Sequence, residues 1–245
     1  MSGCERFILE RQLMLEVAAI HSGYGNIAVL RDLTFTLGRG EILGVLGRNG
    51  MGKSTLIRTV AGVLPARSGS IKLNGEDITA LPTHLRAARG IATVVQGRGI
   101  FPKLTVRENL EMGRIASSRA KRDRSEEVLA YFPRLRERLS QLAGTMSGGE
   151  QQMLVIGRGI MTDPSVILLD EPSDGIMPTL ITQIGATLVE ISRQSGMSIL
   201  IAEQNVPLVF SITNRCIILE KGRIVAEGTR EMVSRSEVMK EYLAI

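Results

Sequence analysis

The segment Gly47-Arg48-Asn49-Gly50-Met51-Gly52-Lys53-Ser54-Thr55 carries three glycines, a lysine and two hydroxyls in the order G-x-x-x-x-G-K-[ST], directly after an apolar run that reads as a strand. Glycines let successive backbone N–H groups turn inward on a phosphate, and a helix beginning at the same point aims its positive end at the same charge. Lys53 adds a point charge for the outer phosphates, and the Ser54 hydroxyl can ligate Mg²⁺. Gly47, Asn49, Gly50, Gly52, Lys53, Ser54 and Thr55 are therefore the candidate phosphate-binding set. A ligand-free glycine-rich turn is the plain alternative, and the motif alone leaves kinases, GTPases, helicases and transport ATPases open.

Farther along, Val166-Ile167-Leu168-Leu169-Asp170-Glu171 is an apolar strand ending in two acids. It sets carboxylates at the carboxyl edge of the sheet, where phosphates bind in open α/β architectures. Asp170 suits the shell of a divalent cation. Glu171, one residue on, is placed to orient or deprotonate a water attacking a γ-phosphate. The plain alternative is a strand end with two solvated acids.

These residues require a particular scaffold. Short β-type runs at Glu41 to Leu46, Ile91 to Val95, Val166 to Leu169 and Ile199 to Ala202 alternate with helix-patterned stretches, which predicts a mostly parallel sheet covered by helices. Two regions break the alternation. Leu13 to Val17, Leu33 to Leu37 and Ile71 to Leu73, punctuated by Gly and Asn, read as an antiparallel β layer. Gly97 to Thr145 is richer in charge and helix formers, with Thr105 and Glu108 forming a capping box, and reads as a helical insertion. Cys216 to Leu219 and Ile224 to Glu227 flank Glu220-Lys221-Gly222 as a hairpin. The expected organisation is one domain over 1–245, with a β subdomain and core at about 13–96, a helical subdomain at about 97–147, and core plus carboxyl-terminal hairpin at about 148–245.

The 245 residues, 44% apolar, suffice for a substantial core. A net charge of +5 leaves nucleic acid, an acidic membrane surface or a nucleotide open as partners. With 3% aromatic residues and no Trp, a base-stacking platform is poorly supplied, and no nucleic-acid partner is expected. Cys4 and Cys216 are isolated thiols suited to a reducing compartment. Glu5, Arg6, Glu10 and Arg11 interrupt the amino terminus, so it lacks the unbroken apolar stretch expected of a secretory signal, and no later segment approaches the roughly 18 apolar residues of a membrane span.

At Met146-Ser147-Gly148-Gly149-Glu150-Gln151-Gln152 the sequence resembles the signature motif of ABC ATPases, at the family's spacing ahead of Asp170-Glu171. Ser147 and Glu150 also form a capping box, and a helix tip bearing Ser147, Gly148 and Gly149 is an anion site. The resemblance covers essentially the whole chain. It implies a P-loop NTPase fold with a RecA-like parallel core, an antiparallel β subdomain and a helical signature subdomain. It also implies that the signature closes on the γ-phosphate held by a second subunit.

Other positions follow from the same resemblance. Tyr24 looks like the aromatic that stacks on adenine, and Gln96 like the glutamine that senses Mg²⁺ and the attacking water. Ser173-Asp174-Gly175 occupies the loop that meets the partner's site, without the usual Ser-Ala-Leu-Asp pattern. Gln204 stands where many members carry a histidine; it can donate a hydrogen bond but cannot become a cation. Gly157 and Gly159, in the helix after the signature, either ease close packing or are tolerated at up to about 1 kcal/mol each.

The run Glu203-Gln204-Asn205, with Gly99-Ile100-Phe101-Pro102 and Leu104 to Leu110, resembles the LivF-type ATPases of branched-chain amino acid importers. Gly47-Arg48-Asn49-Gly50, Gln96-Gly97-Arg98 and Asp174-Gly175-Ile176 lean toward the related urea and short-amide importers. The resemblance implies ATP and Mg²⁺ as cofactors and a cytoplasmic ATPase held to the inner face of the membrane. Its partners would be a second ATPase subunit, two permease subunits and, indirectly, an external solute-binding protein. A heterodimer is expected, with a homodimer open in isolation. A soluble ABC ATPase acting on ribosomes or DNA, and an inactive regulatory subunit, are the rival readings.

Overall fold

The protein is described by a computed structural model over residues 13–97, 99–117, 123–237 and 239–240. Cys4, the charges at 5–11 and Arg98 lie outside the described residues.

Five parallel strands carry the site: β3 (Ile42–Leu46), β6 (Ile91–Val94), β7 (Val166–Asp170), β8 (Ser198–Glu203) and β9 (Arg215–Glu220). With β10 (Arg223–Thr229), antiparallel to β9, they form a six-stranded sheet in the order β10-β9-β3-β8-β7-β6. Every residue of β3, β7 and β8 is buried, which explains why these strands read as continuous apolar runs rather than alternating ones. Along β7 the period of two divides the core: Ile167 and Leu169 face the helices that include Leu110, Leu154 and Leu188, while Val166 and Leu168 face Leu56, Ile57 and the antiparallel layer.

That layer is a second sheet, β2-β1-β4-β5, built from β1 (Leu13–Tyr24), β2 (Ile27–Gly38), β4 (Ala66–Leu73) and the short β5 (Glu76–Asp77). Its first two strands are each 12 residues long, well beyond the sequence-predicted runs. The alternation breaks because β1 shifts register between Val17 and Ile20, with Ala19 at φ 48°, so the apolar pattern changes phase while the pairing continues.

Three helices frame the site: α1 (Lys53–Val60) follows the phosphate loop, α2 (Thr83–Arg89) packs behind it, and α3 (Val106–Ile115) opens the helical insertion. Thr105 and Glu108 form the expected capping box on α3. The insertion continues through α4 (Ser125–Tyr131) and α5 (Pro133–Arg136) to α6 (Gly148–Ile160), the helix that begins at the signature. Gly157 is there for close packing: a Cβ at that position would lie 2.7 Å from Val128 Cγ1. Gly159 is less crowded, its Cβ falling 3.2 Å from Ile167 Cδ1. Among the described residues no helix is long and apolar enough to cross a membrane.

Candidate nucleotide site

The carboxyl ends of β3, β7 and β8 bring the candidate residues together. The loop Gly47 to Gly52 leaves β3 and enters α1 with Gly50 at φ 79° and Gly52 at φ 107°, left-handed conformations that glycine adopts without a Cβ penalty. The glycine-rich pattern is thus required by the turn itself. Asn49 and Gly50 are exposed at its rim, whereas Gly47, Gly52, Lys53 and Thr55 are buried.

Lys53 is 3% exposed and turns back over the loop, donating to the carbonyls of Gly47 at 2.7 Å and Arg48 at 3.1 Å. Its Nζ also lies 2.9 Å from Glu171 Oε1. Residues 118 positions apart in the chain thereby form a buried ion pair inside the phosphate cradle. Ser54 Oγ donates to Asp170 Oδ1 at 3.0 Å, joining the start of α1 to the end of β7. Burial pushes the Asp170 carboxyl above its ordinary range, the adjacent Glu171 charge adds to this, and the Ser54 hydrogen bond opposes it. A carboxylate in that state gains from a neighbouring cation.

Glu171 adopts φ 47°, an uncommon conformation for a residue with a Cβ. Its backbone N–H donates to Ala202 O at 2.8 Å, holding the residue just past β7 with its carboxylate facing the cradle. Gln96, beyond the end of β6, donates from Nε2 to Glu171 Oε2 at 3.1 Å and to Asp174 Oδ2 at 3.4 Å. Glu171 is therefore held from two sides, by Lys53 on one oxygen and Gln96 on the other.

Tyr24 ends β1 as a 43% exposed residue, and its hydroxyl accepts from Arg58 of α1 at 3.1 Å. An exposed aromatic is thus fixed to the phosphate-loop helix. Gln204 follows β8 with an exposed side chain, its backbone N–H bonded to Glu203 at 3.1 Å. Ser147 is exposed at the start of α6, Gly148 is half-buried, and Gly149 is packed so that a Cβ would meet Leu180 at 2.4 Å. The Ser147 hydroxyl closes the capping box on Glu150, and Arg138 Nε stands 3.0 Å from Glu150 Oε1 as an ion pair without hydrogen-bond alignment. The signature tip is thus held by its own helix and by Arg138, while Lys53 is held by Gly47, Arg48 and Glu171.

Three residues of this region were not singled out as site residues by sequence reasoning. Asp174 emerges as the second partner of Gln96. Glu203 is a buried carboxylate between loops, and its only signal was membership of the Glu203-Gln204-Asn205 run. Arg86 of α2 is 1% exposed and donates to the carbonyls of Thr59, Val60, Thr79 and Leu81. It thereby satisfies carbonyls at the carboxyl end of the phosphate-loop helix. Nothing in its local sequence distinguishes it from a surface arginine.

Comparison with known proteins agrees with this geometry. The family model for the ABC transporter matches residues 30–174. The chain is 42% identical over 232 residues to the high-affinity branched-chain amino acid transport ATP-binding protein BraG of Pseudomonas aeruginosa, aligning 94% of this chain and 99% of that protein. It is 35% identical over 234 residues to the probable branched-chain amino acid transport ATP-binding protein LivF of Archaeoglobus fulgidus, with 95% and 99% aligned. Among solved structures, the ADP conformation of an ATP-binding cassette of an ABC transporter superposes with a TM-score of 0.83 at 27% identity, covering 95% of this chain and 99% of that one. A P-loop core, an antiparallel β layer and a helical signature region, with these relatives, establish that the chain belongs to the ABC transporter family as one of its ATP-binding, ATP-hydrolysing cassettes.

Proposed function

We propose that this cassette energises an importer of branched-chain amino acids, with a urea or short-amide importer as the alternative. The observation that carries the catalytic part is the meeting of three distant segments at Glu171, with Lys53 2.9 Å from one carboxylate oxygen and Gln96 3.1 Å from the other. The chain acts as one ATPase unit, its β subdomain and core at about 13–96, helical subdomain at about 97–147, and remaining core and hairpin at about 148–245.

In this reading Gly47, Asn49, Gly50, Gly52 and Thr55 line the phosphates and Tyr24 stacks on the adenine. The Lys53 ammonium, already aimed along the loop by two carbonyls, exchanges Glu171 for the outer phosphates of ATP. The exchange releases the Glu171 carboxylate, still oriented by Gln96, to accept the proton of the attacking water. Gln204 donates a hydrogen bond to the γ-phosphate.

The donor set also fits Mg²⁺. Ser54, Asp170 and Gln96 offer hard oxygens in small number, which suits a cation that keeps several waters and takes the rest of its shell from phosphates. When bound there it would neutralise phosphate charge, and it would relieve the burial cost seen at Asp170.

The signature tip Ser147-Gly148-Gly149 and the segment Ser173-Asp174-Gly175 meet the site of a second ATPase subunit, so that ATP joins two cassettes. A heterodimer with a related cassette is favoured, on two permease subunits at the inner face of the cell membrane, served by an external solute-binding protein. Support for the solute comes from the two relatives named for branched-chain amino acid transport.

The test is purification from detergent-solubilised membranes, identification of the companion subunits, and transport assays with leucine and urea. Polytopic companions and ATP-dependent leucine uptake are expected. Recovery without a membrane companion, or with subunits that export their solute, would overturn the importer reading.

A further inference from the structure

At the carboxyl end of β8 stands an acid with no role in the reading above. Glu203 is 1% exposed, and among the described residues no lysine or arginine pairs with it. Its carboxylate is compensated by backbone donors. Oε1 accepts from Ser173 N–H at 2.8 Å, and Oε2 accepts from the N–H groups of Gln204 at 3.1 Å and Asn205 at 3.2 Å. Its own carbonyl accepts from Gly47 N–H, the first residue of the phosphate loop, at 3.3 Å. One residue thus touches three loops that leave three neighbouring strands.

The side-chain type matters. A carboxylate accepts on both oxygens, so it can take donors from two loops at once, whereas an amide of the same shape offers one oxygen and turns an NH₂ toward an N–H on the other arm. Burial pushes the Glu203 carboxyl above its ordinary range, and its hydrogen bonds with Ser173, Asn205 and Gln204 oppose that rise. The anchored Ser173 is followed by Asp174, which receives Gln96, and preceded two residues earlier by Glu171.

We propose that Glu203 is a positioning residue for ATP hydrolysis, its carboxylate coupling the Ser173-Asp174-Gly175 segment to Gln204 and setting both against the phosphate loop. The proposal rests on the roles given above to Gln204 and to residues 173–175. Contact of Gln204 with the γ-phosphate is then felt at the segment facing the second subunit through one side chain, with no movement of the sheet.

The experiment uses the assembled transporter carrying Glu203→Gln, with Glu203→Asp as the second variant. Aspartate still reaches the adjacent Gln204 and Asn205 N–H groups in an Asx-type turn but falls one methylene short of Ser173. For both variants kcat for ATP is expected to fall at least about tenfold, while KM and equilibrium ATP affinity stay within about twofold. Glu203→Gln placed on Gln204→Ala is expected to add less than about twofold, because coupled residues are non-additive. A kcat within twofold of the parent, a parallel loss of kcat and ATP affinity, or additive effects with Gln204→Ala would overturn the proposal. Should Glu203→Gln fail to fold, Glu203→Asp decides by the same readouts. Turnover that survives Glu171→Gln would instead refute the reading of the whole site, and this coupling with it.

Discussion

Replacing Glu171 with glutamine perturbs two things that the geometry separates. In the parent chain the Lys53 ammonium and the Glu171 carboxylate are 2.9 Å apart with side chains 3% and 8% exposed. In the proposed reading, ATP breaks that contact as Lys53 turns to a phosphate. The gross Coulomb attraction at that distance is roughly 5–6 kcal/mol at an effective dielectric of about 20, and desolvation of both ions cancels most of it. A charge-assisted hydrogen bond is worth about 1.5–3 kcal/mol net, and the neutral amide that replaces it about 1 kcal/mol. ATP binding to Glu171→Gln therefore has about 0.5–2 kcal/mol less to displace, a gain of roughly 2- to 30-fold in affinity. Loss of the proposed general base should lower turnover by about 10²- to 10⁴-fold at the same time. Isothermal titration with ATP and Mg²⁺ at saturating salt, beside phosphate release from the assembled transporter, measures both. Unchanged or weaker binding would show that the Lys53–Glu171 pair does not compete with phosphate, and unchanged turnover would move the base elsewhere.

Lys53→Ala should act in the opposite sense on binding, weakening ATP by about tenfold or more, since it deletes the cation while leaving the Glu171 carboxylate facing the phosphates; titration under the same conditions checks the sign. Arg86→Met removes the donors to four backbone carbonyls behind the phosphate-loop helix and is expected to cost about 3–5 kcal/mol, a fall of roughly 10 °C in thermal midpoint by calorimetry. Cys216 is buried, and its thiol is pushed up to about 11 by burial. At pH 8 only about one part in a thousand is thiolate, so alkylation followed by peptide mapping should label Cys216 only after denaturation.

Part of this molecule was legible in residue order. The phosphate loop, the two acids ending β7 and the signature tip are local chemistry: the turn needs its glycines at fixed offsets, the acids need a strand end, and the capping box needs Ser147 three residues before Glu150. Fully buried strands announce themselves as apolar runs, so β3, β7 and β8 were found to within a residue or so. The antiparallel layer was underestimated because bulges in β1 shift the phase of its alternation while its hydrogen bonding continues.

Residue order determined which groups could do chemistry here; only the tertiary structure decided which of them touch. The ion pair of Lys53 with Glu171, the grip of Gln96 on Glu171 and Asp174, the bridging role of Glu203 and the burial of Arg86 each join segments that no local spacing relates. The reason is geometric. A parallel sheet gathers the ends of strands distant in the chain at one edge, and the crossovers that bring them there leave no periodic trace in the residues that meet.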